Sequence, residues 1–126
     1  MTGQPLVYEA PLGVGLEELE DTLFDAFDSI RSALAEASPV VIVVREEELL
    51  GHGEASDAAL AGALVGLVRA LAVEGVRENW RINALSVTAD VAPEHVIEWT
   101  LRLADPAAAN GELVRLGNLH LGRLPV

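Results

Sequence analysis

The run Val40-Val41-Ile42-Val43-Val44 constrains the fold more than any other stretch of the chain. Consecutive β-branched residues favour a strand, and a strand that is apolar on both faces must be covered on both sides. A central strand of a parallel sheet, with helices packed on each face, meets that requirement. The chain has 126 residues, 51% of them hydrophobic, so we expect residues 1–126 to form one domain around this strand.

The remaining segments alternate between strand and helix patterns. A strand is predicted at residues 6–8, and a helix at 16–37, where apolar residues recur every three or four positions. The elements predicted after the central strand are, in order, an acidic loop at 45–53, a helix from the N-cap candidate Ser56 to a C′ glycine at Gly75, a strand at 81–87, a helix at 94–103 introduced by Pro93, and a strand at 113–116. This order predicts an α/β domain with a largely parallel sheet of about four strands and flanking helices.

The charge of the chain disfavours several classes of partner. Twenty Asp and Glu residues against eight Lys and Arg residues give a net charge of -12, which disfavours binding to nucleic acid and to anionic membrane surfaces. The longest apolar run, residues 58–68, is shorter than the roughly 20 residues that span a bilayer. The N-terminal residues lack the pattern of a secretion signal, so we expect a cytoplasmic protein.

The helix predicted at residues 55–75 is apolar on all sides but carries two different ridges. Leu60, Leu64, Leu67 and Leu71 form one ridge, which is suited to covering the sheet. The other ridge is small and lets another backbone approach closely: Ala58, Gly62, Gly66 and Ala70. The approaching surface is either another subunit or the chain's own sheet and 16–37 helix, and the spacing of the glycines does not decide between the two.

The polar residues give weak signals for a site. His52, His95 and His120 lie in separate elements without the spacing of metal ligands, and the chain has no cysteine, so we expect no metal site. Glu46, Glu47 and Glu48 follow the central strand, at the edge where open α/β sheets bind ligands, although a solvated acidic loop explains them more simply. Trp80 and Trp99 are predicted to pack at the margin of the sheet.

Five segments resemble, in order, motifs of the short-chain dehydrogenases/reductases (SDRs). The segments ASDAAL at 55–60, VRALAVE at 68–74 and WRINAL at 80–85 are similar to the family's ASKAAL, TRALAVE and IRVNAV. LADPAA at 103–108 resembles LASPAA, and NGELVRL at 110–116 resembles the last strand of the family. The resemblance covers residues 16–118 and implies the C-terminal half of a Rossmann-like, SDR-type sheet.

The departures from the family pattern bear on function. The family's catalytic lysine corresponds to Asp57 and its tyrosine to Gly53, and the strand that delivers the catalytic serine runs instead into Arg45 and the glutamates. The helix at 16–37 has no asparagine, Val87-Thr88 replaces the family's PG pair, and the half with the glycine-rich cofactor turn has no counterpart. The resemblance therefore implies a truncated, degenerate SDR-like protein with no catalytic, cofactor-binding or metal residues, and hence no bound cofactor.

We therefore predict a non-catalytic subunit that associates through its two long helices, the pair that commonly forms a four-helix interface in this family. The partner is either a second copy, giving a dimer or tetramer, or a full-length catalytic SDR. The predicted interface residues are Leu23, Phe27, Ile30, Ala58, Gly62, Gly66 and Ala70.

Two alternatives remain open at this stage. One is an enzyme whose site is completed by another chain, with Glu47, Glu48, His52 and Asp57 as its candidate residues. The other is a small-ligand binding module with a pocket near Arg45, Glu46 and Val87, at the carboxyl ends of the strands.

Overall fold

A computed structural model describes residues 4–118 and confirms the predicted α/β class. Its strands form one parallel sheet of four strands in the order β1-β2-β3-β4. The elements in chain order are β1 (Leu6–Glu9), α1 (Leu16–Ala35), β2 (Val40–Arg45), α2 (Glu46–Leu49), α3 (Ala55–Glu74), β3 (Ile82–Val87), α4 (Pro93–Ala104) and β4 (Leu113–Leu116).

The central strand is covered on both faces, as its sequence predicts. Val40, Ile42 and Val44 point to one side of β2, into a core shared with α1 and α3. Val41 points to the other side and packs with Leu85 of β3 and Leu103 of α4. The sheet therefore has two helices on one face and one on the other, and both long helices lie in the same layer.

The ends of α1 and α3 differ from those predicted from the sequence. Helix α1 ends at Ala35, two residues early, because Ala37 adopts a left-handed conformation with φ of 63°. The amides of Ala37 and Ser38 donate to the carbonyls of Leu34 and Ala33, which is the Schellman arrangement that usually has glycine at this position.

Helix α3 begins at Ala55, so Ser56 is not its N-cap; Glu54 holds that position, without a side-chain cap hydrogen bond. The helix ends before Gly75, as predicted, but Gly75 has φ of -95° and is not left-handed. Glycine is required there for another reason, because a Cβ would collide with the indole of Trp80.

The acidic segment after β2 is not a loop, as the sequence suggested, but the single helical turn α2. Its three glutamates occupy the first turn, where the helix dipole favours carboxylates. Glu46 is completely buried, which a solvated loop would not allow.

By length and composition alone, α3 would qualify as a membrane-spanning helix, with a mean hydropathy of 1.6. Its leucines, however, pack against the sheet: Leu60, Leu64 and Leu71 are buried, and Leu67 is partly buried against the same cluster. These contacts are those of a core helix in a soluble protein. Trp80 and Trp99 pack partly buried against the two core clusters, at the margins predicted for them.

Candidate functional site

The carboxyl ends of the strands hold an ion pair between a buried glutamate and a partly exposed arginine. Val44, Ser86 and Arg115 are adjacent in the register of β2, β3 and β4, and Glu46 follows directly after β2. The Arg115 guanidinium donates from Nε to Oε1 of the buried Glu46, and this hydrogen bond raises the pKa of Arg115. Two buried atoms beside this pair, Glu46 Oε2 and Ser86 Oγ, have no hydrogen-bond partner among residues 4–118.

Asp57, which the sequence resemblance aligns with the lysine of the SDRs, accepts a hydrogen bond on each carboxylate oxygen. It is 8% exposed and lies in the first turn of α3. Its Oδ2 accepts from the amide of Gly13 at 3.2 Å and its Oδ1 from the amide of Val14 at 3.1 Å. The carboxylate therefore fixes the segment that leads into α1 and satisfies two backbone donors.

The other candidates for a composite active site lie nearby but do not form a catalytic arrangement. Glu47 forms an ion pair with Arg45. Glu48 turns towards Gly53, so that its Oε2 would lie 2.6 Å from a Cβ at that position. His52 is exposed, and no hydrogen bond joins its side chain to these carboxylates in the part of the chain that the structure describes. Glu47, Glu48 and His52 thus do not form a nucleophile hydrogen-bonded to a base.

The histidines do not share a site. His52 is in the segment before α3, and Nε2 of His95 accepts a hydrogen bond from Nε1 of Trp99 at 3.1 Å, one turn along α4. His120 lies outside the described residues. Among residues 4–118, no group of three or more His, Cys, Asp or Glu side chains is arranged to hold a metal ion.

A cleft of about 440 Å³ opens at the other end of the sheet, near the start of the strands. It is lined in part by Ala37, Asn79, Trp80 and Arg81. Ala37 and Asn79 are also the two non-glycine residues with positive φ in the described chain. None of the site residues predicted from the sequence lines this cleft.

The two long helices run parallel and side by side. At one end, Asp57 of α3 binds Val14, just before α1, and at the other end Arg31 of α1 forms an ion pair with Glu74 of α3 at 2.6 Å. In each pair the two residues are 43 positions apart in the sequence. A residue of α3 therefore lies at the same height as the residue of α1 that is 43 positions earlier. Arg31 also lies 5.8 Å from the centre of the Trp80 ring.

The outward side of α3 is exposed and made of small residues. We call this the small-residue face and define it by Ala59, Gly62, Gly66, Ala70 and Val73, all of which are exposed. A Cβ placed on Gly62 or Gly66 would have no described atom within 4 Å beyond its own helical surroundings. Close packing within residues 4–118 therefore does not account for the glycines.

The predicted interface residues divide into three groups. Gly62, Gly66 and Ala70 belong to the small-residue face, and Ala58 is half-buried beside it. Leu23 and Phe27 of α1 are partly buried against the core. Ile30 is fully buried and faces the sheet, so it does not reach the exposed surface; its place in the apolar stripe of α1 is a core position.

Two residues that the sequence analysis did not single out matter here. Phe24 is 66% exposed on α1, and Val73 is 75% exposed on α3. Phe24 lies seven residues before Arg31, and therefore on the side of α1 that borders α3. Tyr8 lies in β1, and its burial and the nearby Asp25 of α1 raise the pKa of its phenol.

Comparison with known proteins gives the fold but not a family assignment. No protein-family model matches the chain, and no curated protein matches it. Solved structures do match. Enoyl-acyl-carrier-protein reductase (NADH) from Aquifex aeolicus aligns with a TM-score of 0.66 and 17% identity, over 90% of this chain and 60% of its own.

Two further structures give the same result. A short-chain type dehydrogenase/reductase from Mycobacterium marinum aligns with a TM-score of 0.64 and 17% identity, over 91% of this chain and 62% of that one. A 3-oxoacyl-acyl-carrier-protein reductase from Brucella melitensis aligns with a TM-score of 0.57 and 17% identity, over 92% and 57%. The chain thus spans about three-fifths of the length of these structures and shares their Rossmann-like fold over that part.

Proposed function

We propose that this chain is a degenerate, SDR-like subunit without catalytic activity, which assembles with another subunit through α1 and the small-residue face of α3. The open space around Gly62 and Gly66 carries this proposal. Each glycine inside a helix costs about 1 kcal/mol relative to alanine. No contact among the described residues compensates this cost, whereas a helix of another subunit gains close approach from it.

The lack of activity is supported by the residues at the family's catalytic positions. Asp57 replaces the lysine and uses both oxygens to hold the segment before α1. Gly53 replaces the tyrosine, and the Glu48 carboxylate lies against it. A carboxylate at position 57 would also raise the pKa of a neighbouring phenol, whereas the family's lysine lowers it. A cytoplasmic location is part of the same proposal.

The oligomeric state tests the assembly. We would measure the mass of the protein by sedimentation velocity, alone and mixed with a full-length SDR from the same cell, and compare it with the Gly66→Leu variant. Leucine at this exposed position fits the isolated chain but blocks close approach of a second helix.

The matched control is Ala107→Leu, which adds apolar bulk at an exposed position beyond α4, in the other part of the domain. Loss of the complex in Gly66→Leu and its retention in Ala107→Leu are the expected results. A protein that is monomeric in every mixture, or a complex that tolerates Gly66→Leu, contradicts the proposal.

A second candidate function is a ligand-binding subunit whose site is completed by another chain. The buried and unpartnered Glu46 Oε2 and Ser86 Oγ favour it, because buried polar atoms normally have partners. A thermal-shift screen with nucleotides and acyl thioesters, on the isolated chain and on the complex, tests this function. A shift that is lost in Glu46→Gln supports it, and the absence of any shift removes it.

A further inference from the structure

The side of α1 that borders α3 is acidic. Arg31 identifies this side of α1 because it reaches Glu74 of α3. Phe24 lies two turns earlier on the same side of the helix, and we call this side the stripe of α1. Four exposed carboxylates lie beside Phe24 on this side: Glu17, Glu20 and Asp28, at four or seven residues from it, and Asp21, at three residues. The exposed ring of Phe24 and the small-residue face of α3 are therefore bordered along one edge by negative charge.

Helix α3 offers little positive charge in return. Arg69 is its one basic residue, and its last residue, Glu74, already binds Arg31. If two copies packed through this surface, each would bring four carboxylates of α1 and the one arginine of α3 to the interface. The two chains also carry a net charge of -12 each, so their approach is opposed at longer range as well. A second copy is a poor electrostatic match for this surface.

We infer, on the basis of the proposed function, that the occupant of the small-residue face is not a second copy but a protein with basic docking helices. The surface determines what this partner must present. Its docking helix needs small residues where it packs against the small-residue face, and lysine or arginine where it meets Glu17, Glu20 and Asp28. The small residues supply close packing, and the charges select the partner by opposing self-association.

A charge-reversed form of this chain serves as the probe. The Glu17→Lys/Glu20→Lys/Asp28→Lys variant keeps the small-residue face and places basic residues along its edge. We expect it to bind the wild-type chain about tenfold more tightly than either chain binds itself, at low ionic strength. The advantage should shrink in high salt, because these groups are exposed. Sedimentation equilibrium of the two chains, alone and mixed, measures both effects.

The control variant changes the net charge equally at other sites. Glu18→Lys and Asp25→Lys lie on the opposite side of α1, and Glu94→Lys lies on α4. Circular dichroism establishes that both variants fold. The inference is overturned if the control variant binds the wild-type chain as tightly as the stripe variant does, or if no mixture associates.

The Gly66→Leu variant distinguishes failure of the basic partner from failure of the proposed docking face. A wild-type chain that self-associates as tightly as the mixture, through a contact that Gly66→Leu disrupts, overturns the basic partner but leaves the proposed function standing. A mixed complex that persists when both chains carry Gly66→Leu overturns the docking face, and with it the proposed function.

Discussion

Replacing Gly62 and Gly66 with alanine should stabilise the isolated chain and weaken its assembly. Both glycines lie inside α3, and a Cβ on either has open space around it. Alanine is favoured over glycine in a helix by about 1 kcal/mol, so the double variant should gain about 2 kcal/mol. For a chain of 126 residues, that gain corresponds to a rise in Tm of about 7 °C.

Urea unfolding of the monomer, followed by circular dichroism at low protein concentration, measures the gain. Ala59→Gly, on the same exposed face, is the control and should lower the free energy of unfolding by about 1 kcal/mol. The same double variant should weaken the subunit complex, because two added methyl groups hold the helices apart. Destabilisation of the monomer by the double variant would refute the reasoning, since it would mean that the glycines pack closely within the chain.

Three further substitutions test the internal contacts by urea unfolding. Ala37→Gly should stabilise the chain by about 0.5–1 kcal/mol, because glycine adopts the left-handed conformation without strain, and a loss would contradict this conformation. Asn83→Ala should cost about 3 kcal/mol, since the buried amide makes three hydrogen bonds between β3 and the segments around α4 and β4; a cost below about 1 kcal/mol would argue against them. Arg115→Met should destabilise the chain more than the double change with Glu46→Gln, because the single change leaves a buried carboxylate unpaired; equal effects would exclude the ion pair.

The sequence predicted the sheet better than the helix ends. The β-branched run of β2 lies where it was expected, because a strand covered on both faces has an unambiguous pattern. Ala37 carries no sequence signal for a left-handed conformation, so the end of α1 was placed two residues late. Three consecutive glutamates suggested a solvated loop. The arginine that pairs with the buried Glu46 lies 69 residues away in the sequence, so the local pattern could not indicate this contact.

The candidate interface was predictable only in part. Helix α3 is apolar on every side, so its pattern identified two ridges but not which surface the small one would meet. The structure places Gly62, Gly66 and Ala70 of the small ridge on an exposed surface of residues 4–118, with Ala58 half-buried beside them. In α1, the same 3.6-residue periodicity identified core and surface residues together, which is why Ile30 was included and Phe24 was not. Periodicity gives the direction of a side chain, whereas its exposure depends on which neighbouring elements pack beside it.

The contact of Asp57 and the small-residue face of α3 are structurally independent because they lie on opposite sides of one helix. Asp57 and Gly66 are nine residues apart, which is two and a half turns of α3. Asp57 therefore faces inward, to the segment before α1, while Gly66 faces solvent. A substitution at position 57 can thus alter the contact with the segment before α1 without altering the outward face. Under the proposed assembly, the outward face would keep Gly62 and Gly66 even though each destabilises the monomer by about 1 kcal/mol relative to alanine.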